Sequence, residues 1–108
     1  MRKVKVKICG LKRAQDIECV NRLLPDYIGF VFAKTKREVT EQQAAQLKAM
    51  LNPQIKAVGV FVNAEIDLIV RLAASRTIDI IQLHGDEDAA YCERLRLQTE
   101  LPIIKAVR

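Results

Sequence analysis

Apolar and polar residues alternate from the start of the chain. Val4, Val6 and Ile8 share one face of an extended segment, and Lys3, Lys5, Lys7 and Cys9 share the other. The alternation predicts a first strand that stops at Gly10. Strand-like runs recur near Tyr27, Lys56, Asp79 and Pro102. Between them the apolar spacing lengthens to the period of a helix. The first helical segment uses Ala14, Ile17, Val20 (or Cys19), Leu23 and Leu24, and ends before Pro25. The second starts at Thr40, with Gln43 placed to complete a capping box. It carries Ala44, Leu47, Met50 and Leu51 and stops at Asn52-Pro53. The third follows Asn63 as its cap and carries Ile66, Ile69, Val70 and Ala73. The fourth opens on Asp86-Glu87-Asp88, acids suited to a helix N-terminus, and carries Ala89, Cys92 and Leu95.

Four strand–helix units and a fifth strand make an α/β chain of (βα) repeats with parallel strands and right-handed crossovers. Two architectures fit: an open doubly wound sheet, or part of a (βα)8 barrel. No Gly-x-Gly-x-x-Gly follows the first strand, and the spacing is regular without a long crossover, so the barrel is favoured. A whole barrel needs at least roughly 200 residues. The chain has 108. The expected unit is therefore one partial TIM barrel domain over residues 1–108, from the first strand to the fifth. Its first and fifth strands are expected to be exposed edges, open to pairing with a second copy or with a C-terminal half barrel.

Composition narrows the setting. The hydrophobic share is 50%, enough for a core. The longest apolar stretch, Ala57 to Val62, is far too short to span a bilayer, and no apolar leader follows Met1-Arg2-Lys3. Cys9, Cys19 and Cys92 are widely spaced and form no Cys-x-x-Cys pair. That pattern suggests neither a metal site nor a disulfide framework, and it fits a reduced, cytoplasmic setting. The net charge is +5, but the basic residues are dispersed and aromatics are 5%. A small phosphorylated substrate suits this better than nucleic acid.

In parallel sheets of this kind, chemistry belongs to the carboxyl ends of the strands. The first strand ends on Cys9. The second leads into the loop from Ala33 to Val39, which holds Lys34, Lys36 and Arg37. The fourth ends Gln82-Leu83-His84-Gly85, with Gln82 and His84 on one face by period two. A thiol acts as a base only as thiolate, and Lys7, two residues back on the same face, is a cation placed to favour that form. Cys19 and Cys92 are expected in helix cores. Asp86, Glu87 and Asp88 read as helix-start charges.

The runs Lys7-Ile8-Cys9-Gly10-Leu11, Ile28-Gly29-Phe30-Val31-Phe32 with Thr35-Lys36-Arg37, Val58-Gly59-Val60-Phe61-Val62-Asn63, Ile81-Gln82-Leu83-His84-Gly85 and Ile104-Lys105-Ala106 closely resemble phosphoribosylanthranilate isomerase of tryptophan biosynthesis. The Lys-Ile-Cys-Gly start argues against the related indoleglycerol phosphate synthase. The resemblance covers the N-terminal half of the family's barrel. It implies an Amadori rearrangement of N-(5-phosphoribosyl)anthranilate to 1-(2-carboxyphenylamino)-1-deoxyribulose 5-phosphate, without cofactor or metal. It implies Cys9 as general base, Arg37 beside the anthranilate carboxylate, and Gln82 and His84 as pocket lining. The family's general acid, an aspartate on the sixth strand, and its phosphate loops after strands seven and eight have no counterpart among these 108 residues. Little or no turnover by this chain alone is the expectation. A catalytically inactive half barrel that self-associates is the alternative.

Overall fold

The computed structural model describes residues 7–106. The part of the first strand expected over Lys3, Val4, Lys5 and Val6 lies outside them. The element order is β1 (Lys7–Cys9), α1 (Ala14–Leu23), β2 (Tyr27–Val31), α2 (Glu41–Met50), β3 (Lys56–Phe61), α3 (Ile66–Ala74), β4 (Ile80–Leu83), α4 (Ala89–Arg96) and β5 (Ile103–Lys105). The alternation of strand and helix is the one that the apolar spacing predicts. Among the described residues no helix is long and apolar enough to cross a membrane.

Local chemistry sets the helix ends. Thr40 Oγ1 accepts the Gln43 N–H at 3.0 Å, and Gln43 Oε1 accepts the Thr40 N–H at 2.9 Å, closing the expected capping box of α2. Asn21 joins α1 to the end of α2: its Nδ2 donates to Met50 O at 2.9 Å and its Oδ1 accepts the Asn52 N–H at 2.8 Å. Helix α1 stops at Leu24, which takes a left-handed conformation (φ 50°) with its N–H on Val20 O.

Several sequence expectations need correction. The buried stripe of α1 is Ile17 and Val20, while Leu23 and Leu24 are 65% and 42% exposed. The left-handed turn at Leu24 carries the chain into β2 and leaves both leucines outside. Cys19 is exposed rather than in a helix core, since it lies two residues, more than half a turn, from Ile17; Cys92 is half-buried. Met50, counted with the apolar stripe of α2, is also exposed. In α3 the buried residues are Ile69 and Leu72, and the cap is Glu65, not Asn63. Asn63 instead sits in the left-handed region (φ 49°) and accepts the Asp86 N–H with Oδ1 at 2.9 Å. Asp88 alone caps α4, taking the Tyr91 N–H at 2.8 Å.

The five strands are parallel and lie in the order β1-β2-β3-β4-β5. A doubly wound sheet reverses its strand order at a switch point; this one does not. Residues in register share a face, so Cys9, Gly29, Val58 and Ile80 form one row, and Val31, Val60, Gln82 and Ile104 the next. The opposite face carries Ile28, Phe30, Ala57, Phe61, Ile81 and Leu83, which pack on Ile17 and Val20 of α1, Ala44 and Leu47 of α2, Ile69 and Leu72 of α3, and Leu95 of α4. Among the described residues the helices therefore cover one face only, and the face bearing Cys9 is the inner one of a curved sheet. The curvature shows in one contact. Lys7 Nζ of β1 donates to Gln82 Oε1 of β4. In a flat sheet three strand spacings, with the four residues of register between the rows of Lys7 and Gln82, would hold those positions about 19 Å apart, with side chains perpendicular to the sheet.

Candidate active site

The site is built at the carboxyl end of β1. Gly10 N–H and Leu11 N–H both reach Gly29 O, at 2.9 and 3.3 Å, so the chain turns out of β1 while still held on β2. Gly10 has φ +85°, a conformation that glycine adopts without strain. The turn continues to Asp16, whose Oδ2 accepts the N–H groups of Lys12 at 3.1 Å and Arg13 at 3.0 Å. The Lys12 N–H, and with it the N–H and guanidinium of Arg13, hold the Asp16 carboxyl below its ordinary value, outweighing partial desolvation.

The thiol of Cys9 is seated on Gly29. A Cβ at position 29 would lie 2.6 Å from Cys9 Sγ, closer than atoms can approach. Position 29 must therefore be glycine for the thiol to sit where it does. Arg37 comes to the same corner from the β2–α2 loop. A Cβ at position 10 would lie 2.4 Å from Arg37 Cδ and 3.3 Å from its Cγ and Nε. The arginine stem thus lies over Gly10, one residue from Cys9. The loop is held there by Arg37 N–H on Thr35 Oγ1 (3.1 Å), by Lys12 Nζ on Lys36 O (3.1 Å), and by Val39 N–H on Val31 O (3.0 Å).

Of the residues singled out in the sequence, the structure brings Cys9 and Arg37 together through Gly10, and Lys7 and Gln82 together by a hydrogen bond. Lys7 lies on the face of Cys9, as the alternation requires, but its ammonium is engaged by Gln82. His84 follows β4 with its N–H on Phe61 O and its residue exposed at the strand end. A groove of about 740 Å³ lies beside the same loop, lined by Phe32, Lys34, Thr35, Glu41, Leu68 and Arg71. Neither Cys9 nor Arg37 lines it.

Glu87 is the largest departure from the sequence reading. It is no helix-start charge but a buried carboxylate. It accepts Asn63 N–H at 2.8 Å, Gly85 N–H at 2.9 Å and Lys105 Nζ at 2.7 Å, and Lys105 Nζ also donates to Gly85 O. Burial pushes its carboxyl up, but the Lys105 ammonium and these backbone donors outweigh it and hold the group below the usual glutamate value. One carboxylate thereby ties the carboxyl ends of β3, β4 and β5 together.

A model of the N-(5'-phosphoribosyl)anthranilate (PRA) isomerase family matches residues 6–108. The chain belongs to the PRA isomerase family. It is 50% identical over 105 residues to the isomerase of Lachnoclostridium phytofermentans, covering 97% of this chain and 48% of that protein. It is 50% identical over 104 residues to that of Endomicrobium trichonymphae, covering 96% and 52%. Among solved structures, the mutually generated monomers of the dimeric PRA isomerase from Thermotoga maritima superpose with a TM-score of 0.84 at 35% identity, over 96% of this chain and 53% of that one. A PRA isomerase in complex with reduced 1-(o-carboxyphenylamino)-1-deoxyribulose 5-phosphate gives 0.83 at 34% identity, over 96% and 53%. The chain spans about half the length of the relatives it matches. The fold is accordingly α/β, matching the PRA isomerase barrels over that half.

The sequence did not give Gly29, Lys12 or Glu87 the roles that the structure gives them. Gly29 carried a signal, since a glycine inside an otherwise β-branched and aromatic strand marks a close approach. Lys12 and Glu87 carried none, because the partners that decide their side chains' roles, Lys36 O and Lys105 Nζ, lie 24 and 18 residues away.

Proposed function

We propose that this chain carries the proton-abstracting part of a PRA isomerase site, for an Amadori rearrangement of N-(5-phosphoribosyl)anthranilate. The observation that supports it is the seating of the Cys9 thiol against Gly29 with the Arg37 stem lying over Gly10 beside it. Arg37 binds the anthranilate carboxylate, for which a planar guanidinium is the best-matched cation. Protonation of the furanose oxygen opens the sugar to a Schiff base. The Cys9 thiolate then takes the proton from C2. The C2–H electron pair forms the C1–C2 double bond, and the imine π pair returns to nitrogen. The resulting enolamine takes up a proton at C1 as the C2 hydroxyl loses one, giving the aminoketose. Lys7, Gln82 and His84 line the substrate pocket and contact the sugar. The acid that opens the ring and the grip on phosphate are assigned to strands beyond β5.

The same reading gives the partner. Among the described residues β1 and β5 are the edges of the sheet, and there a complementary half barrel, or a second copy, would add strands. The setting is cytoplasmic. The test is an assay of substrate consumption by the chain alone and by the chain mixed with the C-terminal half of a PRA isomerase barrel. Turnover that needs both supports the proposal. An equal rate with and without the complement would remove the division of labour, and no turnover in either mixture would favour a non-catalytic half barrel.

A further inference from the structure

Arg37 is exposed, and its guanidinium makes no hydrogen bond or ion pair with any described residue. An arginine in that condition samples many rotamers, and a ligand that fixes it must supply the lost conformational entropy. Here the stem is already confined. It occupies the volume that a side chain at position 10 would fill, and Gly10 is pinned to β2 by its N–H on Gly29 O. The residue before Arg37 is pinned as well, because the Lys36 carbonyl accepts Lys12 Nζ across 24 residues. Lys12 is itself fixed at its backbone by Asp16. The β1–α1 turn thus holds the β2–α2 loop from two points, one empty and one charged.

We infer that Gly10 and Lys12 are positioning residues that preorganise Arg37 for a carboxylate beside Cys9. Gly10 leaves the slot open, and Lys12 keeps the loop from lifting out of it. Neither touches the ligand. The inference deepens the isomerase reading and rests on it for the identity of the ligand, but its structural half concerns Arg37 alone.

The experiment measures both halves on the whole chain. The order of the Arg37 Nε–H is read by ¹⁵N relaxation, and affinity by calorimetry with reduced 1-(o-carboxyphenylamino)-1-deoxyribulose 5-phosphate, for Lys12→Met, Gly10→Ala and Arg37→Met. The expected result is an ordered Arg37 Nε–H in the parent and a mobile one in Lys12→Met and Gly10→Ala. Affinity should fall about threefold to tenfold in Lys12→Met, the size of one lost hydrogen bond, and not at all when Lys12→Met is added to Arg37→Met. Lys12→Met carries the test if Gly10→Ala fails to fold, given the positive φ at that position. An Arg37 signal equally ordered in the variants would overturn the inference, as would an undiminished Lys12→Met effect in the Arg37→Met background. Loosening of Arg37 in the variants, with no analogue binding by any form even when the C-terminal half of a PRA isomerase barrel is present, would keep the positioning roles and sink the isomerase reading.

Discussion

Lys7 and Gln82 meet by a hydrogen bond from Nζ to Oε1, although two strands separate the strands that carry them. The contact spans the inner face of the sheet and places an amide between the lysine and the fourth strand's carboxyl end. Both residues lie at the surface of that face. An exposed hydrogen bond of this kind stabilises a fold by about 1 kcal/mol at most. Gln82→Met is therefore expected to leave the urea midpoint close to that of the parent. If Gln82 serves the ligand, the same variant weakens binding of the reduced analogue by more than its effect on stability, which calorimetry beside denaturation separates.

Gly29→Ala should do the opposite. Its methyl would arrive 2.6 Å from Cys9 Sγ within a buried strand. The thiol or the strand must move, at a cost of about 1–3 kcal/mol. The expected outcome is a lower unfolding midpoint together with an altered rate of Cys9 alkylation. A variant as stable as the parent, with unchanged thiol reactivity, would mean that the thiol is not seated on Gly29.

Glu87 sets an acid limit. Its carboxyl is held low in the fold, so the unfolded chain takes up its proton first as pH falls. The stability it contributes is complete above the ordinary glutamate value and disappears as pH falls through the lower folded value. Glu87→Ala leaves the N–H groups of Asn63 and Gly85 without their acceptor, at a cost of about 1–3 kcal/mol for each that stays unpaired, while the exposed Lys105 ammonium can turn to water. Urea unfolding of parent and Glu87→Gln between neutral pH and about pH 3 should show a pH-dependent difference that shrinks toward acid.

Tyr91 sets an alkaline limit. Burial, helped by the nearby Glu87 charge, pushes its phenol up to about 12, and its hydroxyl donates to Ala64 O at 2.6 Å. A raised folded value means that this stability is complete below the unfolded value of 10.0 and is lost as pH rises toward about 12. Tyr91→Phe should flatten that alkaline fall, as followed by unfolding at fixed urea across the range.

What the sequence could and could not convey follows from the range of each interaction. The capping box of Thr40 and Gln43 was legible because both partners stand within one turn. The strands were legible because period-two alternation is local, and the barrel order because no long crossover interrupts the units. Asn63 misled, since a short polar residue before an apolar run has the look of a cap, while its actual partner, the Asp86 N–H, lies 23 residues on. Glu87 misled for the same reason: nothing in Asp86-Glu87-Asp88 says that the middle acid turns inward to Lys105. At the site, Cys9 and Arg37 were legible as residue types at strand ends. The slot that joins them depends on a missing side chain at Gly10, which only the coordinates of β1 and the β2–α2 loop together reveal.

The most direct measurement on the central claim is the isomerisation rate of Cys9→Ala, assayed beside the parent in the presence of a complementary C-terminal half barrel. The expected result is a fall of at least about a hundredfold, the usual contribution of a positioned general base, with circular dichroism unchanged because Cys9 is exposed and lies outside the helix-facing core. A Cys9→Ala chain that turns over within about twofold of the parent would contradict the assignment of the thiol as the base.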